Sequence, residues 1–162
     1  MKIIDDFLST SDFKLTQQYF LGSDISWHYN DSIVSFNKEH DQFQFVHTFC
    51  NSTTPFKSDY SNFLQPFLHK LHAKFIFRIK ANCRPQTSSI SFSPFHKDME
   101  IGQQTAIFYL NTNDGYTLFE DGSKVLSVAN RFLTFDGSLS HCGTSCTDAK
   151  TRVVLNINYI PS

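Results

Sequence analysis

Residues 151–160 read TRVVLNINYI, and the two faces of this stretch decide the fold. Side chains two apart on a strand share a side. Val153, Leu155, Ile157 and Tyr159 therefore form one apolar row, and Arg152, Val154, Asn156 and Asn158 form a second, largely polar row. The apolar row calls for a covering layer, and the polar row then faces the inside of a barrel. An arginine aimed into a barrel is costly unless an anion meets it. No acid of the same strand does so. A bound carboxylate would, because its two oxygens match the guanidinium fork.

Upstream, from about residue 74, strand follows strand. KFIFRIKANC alternates, with Phe75, Phe77, Ile79 and Ala81 on one face and Lys74, Arg78, Lys80 and Asn82 on the other. TAIFYLN, YTLFE, KVLSV and RFLTF come next, separated by turn signals at NDG (113–115), EDG (120–122) and DGS (136–138). Many short strands without intervening helices imply a sandwich or barrel. The first half differs. SDFKLTQQYFL (11–21) reads as a short helix with a Ser or Asp cap. SDYSNFLQPFLHKLH (58–72) reads as another, with Phe63, Phe67, Leu68 and Leu71 at helical spacing. Pro66 predicts a kink there, or a start nearer Leu64. SIVSF and QFQFVHTF read as further strands. The expected organisation is one domain, with a mixed support region over 1–73 and a β core over 74–162.

Composition narrows the function classes. A chain of 162 residues suits one domain with a real core, and its 18 phenylalanines are spread along it as core residues would be. The 14 basic and 15 acidic residues leave a net charge of −1, which disfavours duplex nucleic acid as a partner. No apolar run has the length of a membrane span. MKIIDDFLSTSDF carries acids where a signal peptide needs a basic start, so the expected location is intracellular and cytoplasmic. In a reducing compartment Cys50, Cys83, Cys142 and Cys146 are expected as free thiols. The C-x3-C pair has no second zinc-ligand pair at suitable spacing.

FHKDM, residues 95–99, places His96 and Asp98 two apart, where both can aim at one point. Two histidines and one carboxylate leave three positions open on an octahedral ferrous ion. His141, in SLSHCGTS, follows the strand RFLTF and supplies a third ligand; Arg152 comes eleven residues later. H-x-D alone is a weak signal. The order carries more: H-x-D, a strand ending YLN, G-x-T-x-F, a strand, His, then Arg opening the last strand.

That order, over residues 76–160, resembles the Fe(II)- and 2-oxoglutarate-dependent oxygenases, in particular their prolyl-hydroxylase-like branch and the short stand-alone members of marine phage and bacterial genomes. The resemblance implies a mostly β fold, a double-stranded β-helix (a jelly-roll or cupin-like barrel) with N-terminal helices packed on one face. It implies His96, Asp98 and His141 as catalytic iron ligands. Arg152 would bind the distal carboxylate of 2-oxoglutarate, Tyr109 would hydrogen-bond it, and Asn156 would join that contact. Asn82 stands where the branch often has a tyrosine. Asp114-Gly115-Tyr116 replaces paired glycines, and Asn130-Arg131 replaces a glycine before the next strand. The implied cofactors are Fe(II), 2-oxoglutarate and O2, with ascorbate as a supporting reductant. The implied reaction is hydroxylation of a C–H bond coupled to conversion of 2-oxoglutarate to succinate. The substrate stays open among a prolyl or other peptidyl side chain, an amino acid, a modified nucleobase and a small metabolite.

Two other readings remain: a cupin-like metalloprotein that does not use 2-oxoglutarate, and a catalytically silent binding domain. Arg78, Lys80 and Asn82 either contact substrate or cosubstrate or form a solvated face near the barrel mouth. Asn158 either borders the pocket or is a satisfied core polar residue. His28, His40, His47, His69 and His72 have no partners at ligand spacing and read as surface or packing residues. Lys97 and Cys142 should point away from the metal.

Overall fold

The last strand lies near the middle of a large sheet and is bonded on both sides. In the computed structural model, which describes residues 1–33, 42–51, 61–100 and 102–162, β10 (Thr151–Pro161) pairs with β4 (Ala73–Pro85) and with β5 (Gln104–Tyr109). β8 (Arg131–Asp136) and β1 (Lys2–Ile4) extend the sheet beyond β5, and β3 (Gln44–Cys50) and β2 (His28–Asn30) extend it beyond β4. All seven strands are antiparallel to their neighbours. A smaller antiparallel sheet has the order β7 (Lys124–Leu126), β6 (Tyr116–Phe119), β9 (His141–Gly143). Isolated bridges Phe92↔Thr144 and His96↔His141 continue it with the segment before Asp98. The two sheets are those of a double-stranded β-helix.

The two rows of β10 sit in two separate cores. Val153, Leu155, Ile157 and Tyr159 join a cluster with Phe20, Leu64 and Phe67 from the helices α1 (Thr10–Leu21) and α2 (Ser61–Leu71). Val154 joins a second cluster with Ile107, Tyr109, Phe119 and Leu133, which fills part of the space between the sheets. Phenylalanine builds the helix-side core: Phe7 stacks on Phe132 at 4.4 Å, and Phe67 lies 5.1 Å from Phe108. Tyr19 of α1 stacks on Phe63 of α2 at 3.9 Å. These offset and tilted arrangements add to area burial.

α1 begins at Thr10, one residue before the expected 11–21 stretch, and its cap is Ser9, whose Oγ accepts from Asp12 N at 3.2 Å. α2 runs through Pro66 rather than starting at Leu64. Its anchors Leu64 and Phe67 are fully buried, and that packing outweighs the lost N–H of the proline. The expected start of α2 at 58, most of SIVSF, and His40 lie outside the described residues.

One sequence expectation fails on β4. The register against β10 passes from Asn158↔Arg78 to Tyr159↔Ile76, so Phe77 is an extra residue in a bulge. The bulge inverts the alternation before it. Ile76 packs against the helix-side core while Phe75 is 53% exposed. From Arg78 onward the expected phase holds, with Ile79, Ala81 and Cys83 buried under the helices.

Asn130 shows why a glycine is dispensable before β8. It sits at φ 64°, where asparagine is tolerated better than most residues. Its side chain then clamps the N-terminal segment: Leu8 N donates to Oδ1, and Nδ2 donates to Leu8 O, both at 2.9 Å. Asn130→Ala loses both bonds and keeps the strained φ, so it should cost about 2–4 kcal/mol in urea unfolding. Asn130→Gly loses the bonds without the strain and should be the milder by about 1 kcal/mol. Equal stability of wild type and Asn130→Ala would refute the clamp.

Candidate metal centre

The two histidines are brought together by their own backbone. His96 N donates to His141 O and His141 N donates to His96 O, each at 3.0 Å. In an antiparallel pair such residues present side chains to the same face, and the two rings lie 4.7 Å apart. Asp98 is set by a turn in which Asp98 N and Met99 N both donate to Gly137 O, at 3.1 and 3.0 Å. A side chain at 137 would collide with Met99 Cβ at 2.5 Å, so only glycine allows this approach.

The three ligand atoms lie within 4.8 Å of one another. His96 Nε2 is 3.5 Å from Asp98 Oδ1, and His141 Nε2 is 3.8 Å from Asp98 Oδ2. Each ring is held by the carbonyl two residues back: His96 Nδ1 to Pro94 O at 3.1 Å, His141 Nδ1 to Leu139 O at 3.0 Å. A carbonyl only accepts, so Nδ1 carries a proton and Nε2 faces the centre, where it donates to Asp98 when the ring is protonated and offers a lone pair once that proton is lost. Asp98 Oδ2 accepts from Asn156 Nδ2 at 3.0 Å, Asn158 Nδ2 at 3.3 Å and Thr105 Oγ1 at 3.3 Å. Arg78 Nη2 stands 3.5 Å from Oδ1. Burial by itself would raise the Asp98 pKa. The His96 hydrogen bond, the Arg78 and His141 charges and the Asn156 amide outweigh it and hold the group well below the ordinary carboxylate range. Two imidazole nitrogens and one ionised carboxylate, each oriented from behind, fit a divalent iron with open positions.

A second feature shares the cavity, which measures about 90 Å³. Arg152 is 4% exposed, and no described carboxylate pairs with it. Nε donates to Ser127 Oγ at 2.7 Å and Nη2 to Thr117 Oγ1 at 3.4 Å. The guanidinium lies over the Tyr109 ring at 5.6 Å, and the Tyr109 hydroxyl shares a 2.8 Å hydrogen bond with Thr117 Oγ1. Burial pulls the Arg152 pKa down. Gly115 makes room for the side chain: a Cβ there would stand 2.6 Å from Arg152 Cδ. Arg84 lies alongside, and burial and the Arg152 charge take its pKa down to about 10.

The residues read from sequence thus fall into two groups. His96, Asp98 and His141 converge, and Arg152 and Tyr109 form a second cluster. Asn156 lies with the first group, at Asp98, rather than beside Arg152. Asn82 lines the cavity with a buried Oδ1 that has no hydrogen-bond partner. Thr117 is the threonine of G-x-T-x-F, but that motif assigned it no role; Thr105 and Ser127 were not singled out, since a hydroxyl on a strand face carries no signal of its own. Asn158 belongs to the site through Asp98 and Thr105. His28, His47, His69 and His72 take no part in the cluster. All four cysteines are buried free thiols.

Metal binding must displace protons from the histidines. Burial lowers the His96 pKa, but Asp98 and the Pro94 carbonyl more than reverse this and leave it above 6.5; burial dominates at His141 and leaves it below 6.5. Affinity for Fe(II) or Mn(II) should therefore fall as pH drops below the raised His96 pKa, by about tenfold per unit for one proton displaced. His141 joins only at lower pH. Calorimetric titration across that range reads the slope, and a flat profile would contradict the assignment. Asp98→Ala should bind no iron.

No protein-family model matches the sequence, and no curated protein matches it. Solved structures do match in shape. A prolyl hydroxylase from Trichoplax adhaerens, in complex with a hypoxia inducible factor oxygen degradation domain peptide fragment, superposes with a TM-score of 0.65 at 16% identity, covering 98% of this chain and 82% of that one. A 2OG-Fe(II) oxygenase family oxidoreductase from Burkholderia pseudomallei gives 0.62 at 11% identity, over 93% and 78%. A Pseudomonas putida prolyl-4-hydroxylase gives 0.60 at 13% identity, over 98% and 91%. These neighbours are animal and bacterial, so they lend nothing to the likeness with phage members. Among the described residues no helix is long and apolar enough to cross a membrane. The chain has the double-stranded β-helix fold of prolyl hydroxylases and 2OG-Fe(II) oxygenases.

Proposed function

We propose that this protein is an Fe(II)- and 2-oxoglutarate-dependent oxygenase, a hydroxylase of a small-molecule or peptide substrate. One observation carries the reading: a buried arginine with no counter-ion among the described residues opens onto the same cavity as a His-Asp-His cluster. Arg152 spends Nε on Ser127 and Nη2 on Thr117, and its remaining donors are left for a dicarboxylate. Fold similarity alone would not separate an oxygenase from other cupin-like metalloproteins. The peptide fragment in the Trichoplax neighbour makes a peptidyl substrate one of the choices.

Each side chain then has a task. His96, Asp98 and His141 hold the iron, and Pro94 O and Leu139 O keep the imidazoles aimed. Asn156, Asn158 and Thr105 keep Asp98 ionised and oriented. Arg152 takes the distal carboxylate of 2-oxoglutarate, with Tyr109 and Thr117 as hydroxyl partners and Ser127 fixing the guanidinium. Asn82 offers a further polar atom on the cavity wall. Ile107 and Val154 line the cavity and exclude stray water. When bound, iron supplies activation of O2 coupled to oxidation of 2-oxoglutarate to succinate and CO2, and ascorbate would keep the metal ferrous.

The test is anaerobic titration of apoprotein with Fe(II) and then 2-oxoglutarate, followed by the weak visible charge-transfer band of the chelate. The band should form in the wild type and vanish in His96→Ala. Arg152→Ala should spare iron and weaken 2-oxoglutarate roughly ten- to hundredfold, as loss of hydrogen bonds to a charged group implies. Iron binding without the band would favour a metalloprotein that does not use 2-oxoglutarate. Unchanged cosubstrate affinity in Arg152→Ala would remove the arginine from the site.

A further inference from the structure

The cavity holds more positive charge than the proposed reaction uses. Arg152 and Arg84 pair across β10 and β4 at one end, while Arg78 pairs with Asn158 at the other. From Arg152 to Asn158 the strand advances roughly 20 Å at about 3.3 Å per residue, much longer than a five-carbon dicarboxylate. Lys80 stands between, opposite Asn156. Asp98 is the one acid among the described residues that line the cavity. With iron and 2-oxoglutarate bound, their charges and those of Asp98 and Arg152 cancel. Arg78, Lys80 and Arg84 are left over.

Arg84 is well satisfied by neutral acceptors, donating to Gly143 O and Gln42 Oε1 at 2.9 Å and to Ser91 Oγ at 3.1 Å. Arg78 is not. Its Nη2 makes only long contacts, 3.5 Å to Asp98 and 3.4 Å to Asn156 Oδ1, and its Nε is buried with no hydrogen-bond partner. The Lys80 ammonium has no hydrogen bond or ion pair among the described residues. The Arg78 side chain is 34% exposed where Asp98 is 5% exposed, so Arg78 marks the open side of the metal site. Unmet donors of this kind call for an acceptor from outside the chain.

We propose that the substrate carries a carboxylate that docks on Arg78 and Lys80 at the mouth of the cavity. The partly exposed guanidinium of Arg78 is a planar donor that suits a carboxylate, and Lys80 adds a second cation two residues along the same face. The inference rests on the oxygenase reading, because it assigns this group to the substrate after 2-oxoglutarate has taken Arg152. The carboxylate belongs to an acidic metabolite or to an acidic residue of a peptide.

The test uses matched acid and amide probes on full-length protein carrying Fe(II) and saturating 2-oxoglutarate under argon. One arm compares N-acetylglutamate with N-acetylglutamine. The other compares the blocked tripeptide Ala-Glu-Ala with Ala-Gln-Ala. Calorimetry measures each affinity, and the shift of the visible band is a second readout. In at least one arm the acid should bind roughly ten- to hundredfold more tightly than its amide. That gap should shrink in Arg78→Gln and in Lys80→Gln. Lys80→Gln leaves the Asp98 contact alone, so it decides the matter if Arg78→Gln disturbs the metal. Preference in the first arm identifies a metabolite and in the second a peptide. Equal affinity for acid and amide in both arms, or a gap unchanged in both variants, overturns the proposal. If no visible band forms, the oxygenase reading fails, and the calorimetric gap still decides whether the carboxylate site exists.

Discussion

The register of β10 is the constraint on which the rest depends. This strand is bonded on both edges and has a different environment on each face. A slip of one residue would turn Arg152 and Asn156 into the Phe-rich helix interface and Leu155 and Ile157 into the cavity. Burial on both faces makes that slip prohibitive. The same strand thus fixes Arg152 against Thr117 and Ser127 and sends Asn156 and Asn158 to the carboxylate of Asp98.

The site is a division of labour between two buried charges of opposite sign that do not pair. Asp98 is surrounded by amides, a hydroxyl and cations, so its charged form is the stable one. Among the described residues Arg152 has hydroxyls and an aromatic face but no acid, so its charge is tolerated rather than neutralised. The hydrogen-bond donors around Asp98 are amides and a hydroxyl, whereas Arg152 keeps a charge that only hydroxyls and a ring face meet. Backbone pairing does the remaining work, since His96 and His141 are opposite residues of one bridge.

Much of this was legible in the sequence because period-two alternation survives in β10 and in β4 from Arg78 onward. Helical spacing likewise marked α2, where Leu64 and Phe67 carry the packing. β1, β2 and β9 have three residues each, too few for a periodic signal; β7 is as short, but turn signals flank KVLSV and marked it. The bulge at Phe77 was invisible, since an extra residue looks like any other until its partner strand is known. The triad could be read from spacing and order. The position of Asn156 at Asp98, and the supporting roles of Thr105, Thr117 and Ser127, depend on cross-strand register and could not.

The bulge at Phe77 also divides β4 into two independently variable parts. Bulges re-aim the side chains beside them, and this one lies next to Arg78, the outermost cation of the cavity. Before it, Phe75 and Ile76 answer to the helices and the solvent; after it, Arg78, Lys80 and Asn82 answer to the cavity. Because the phase is reset between them, a substitution that repacks the helix side need not propagate into the cavity wall. The cavity wall can diversify while the scaffold drifts, which allows one barrel to change its cavity without refolding.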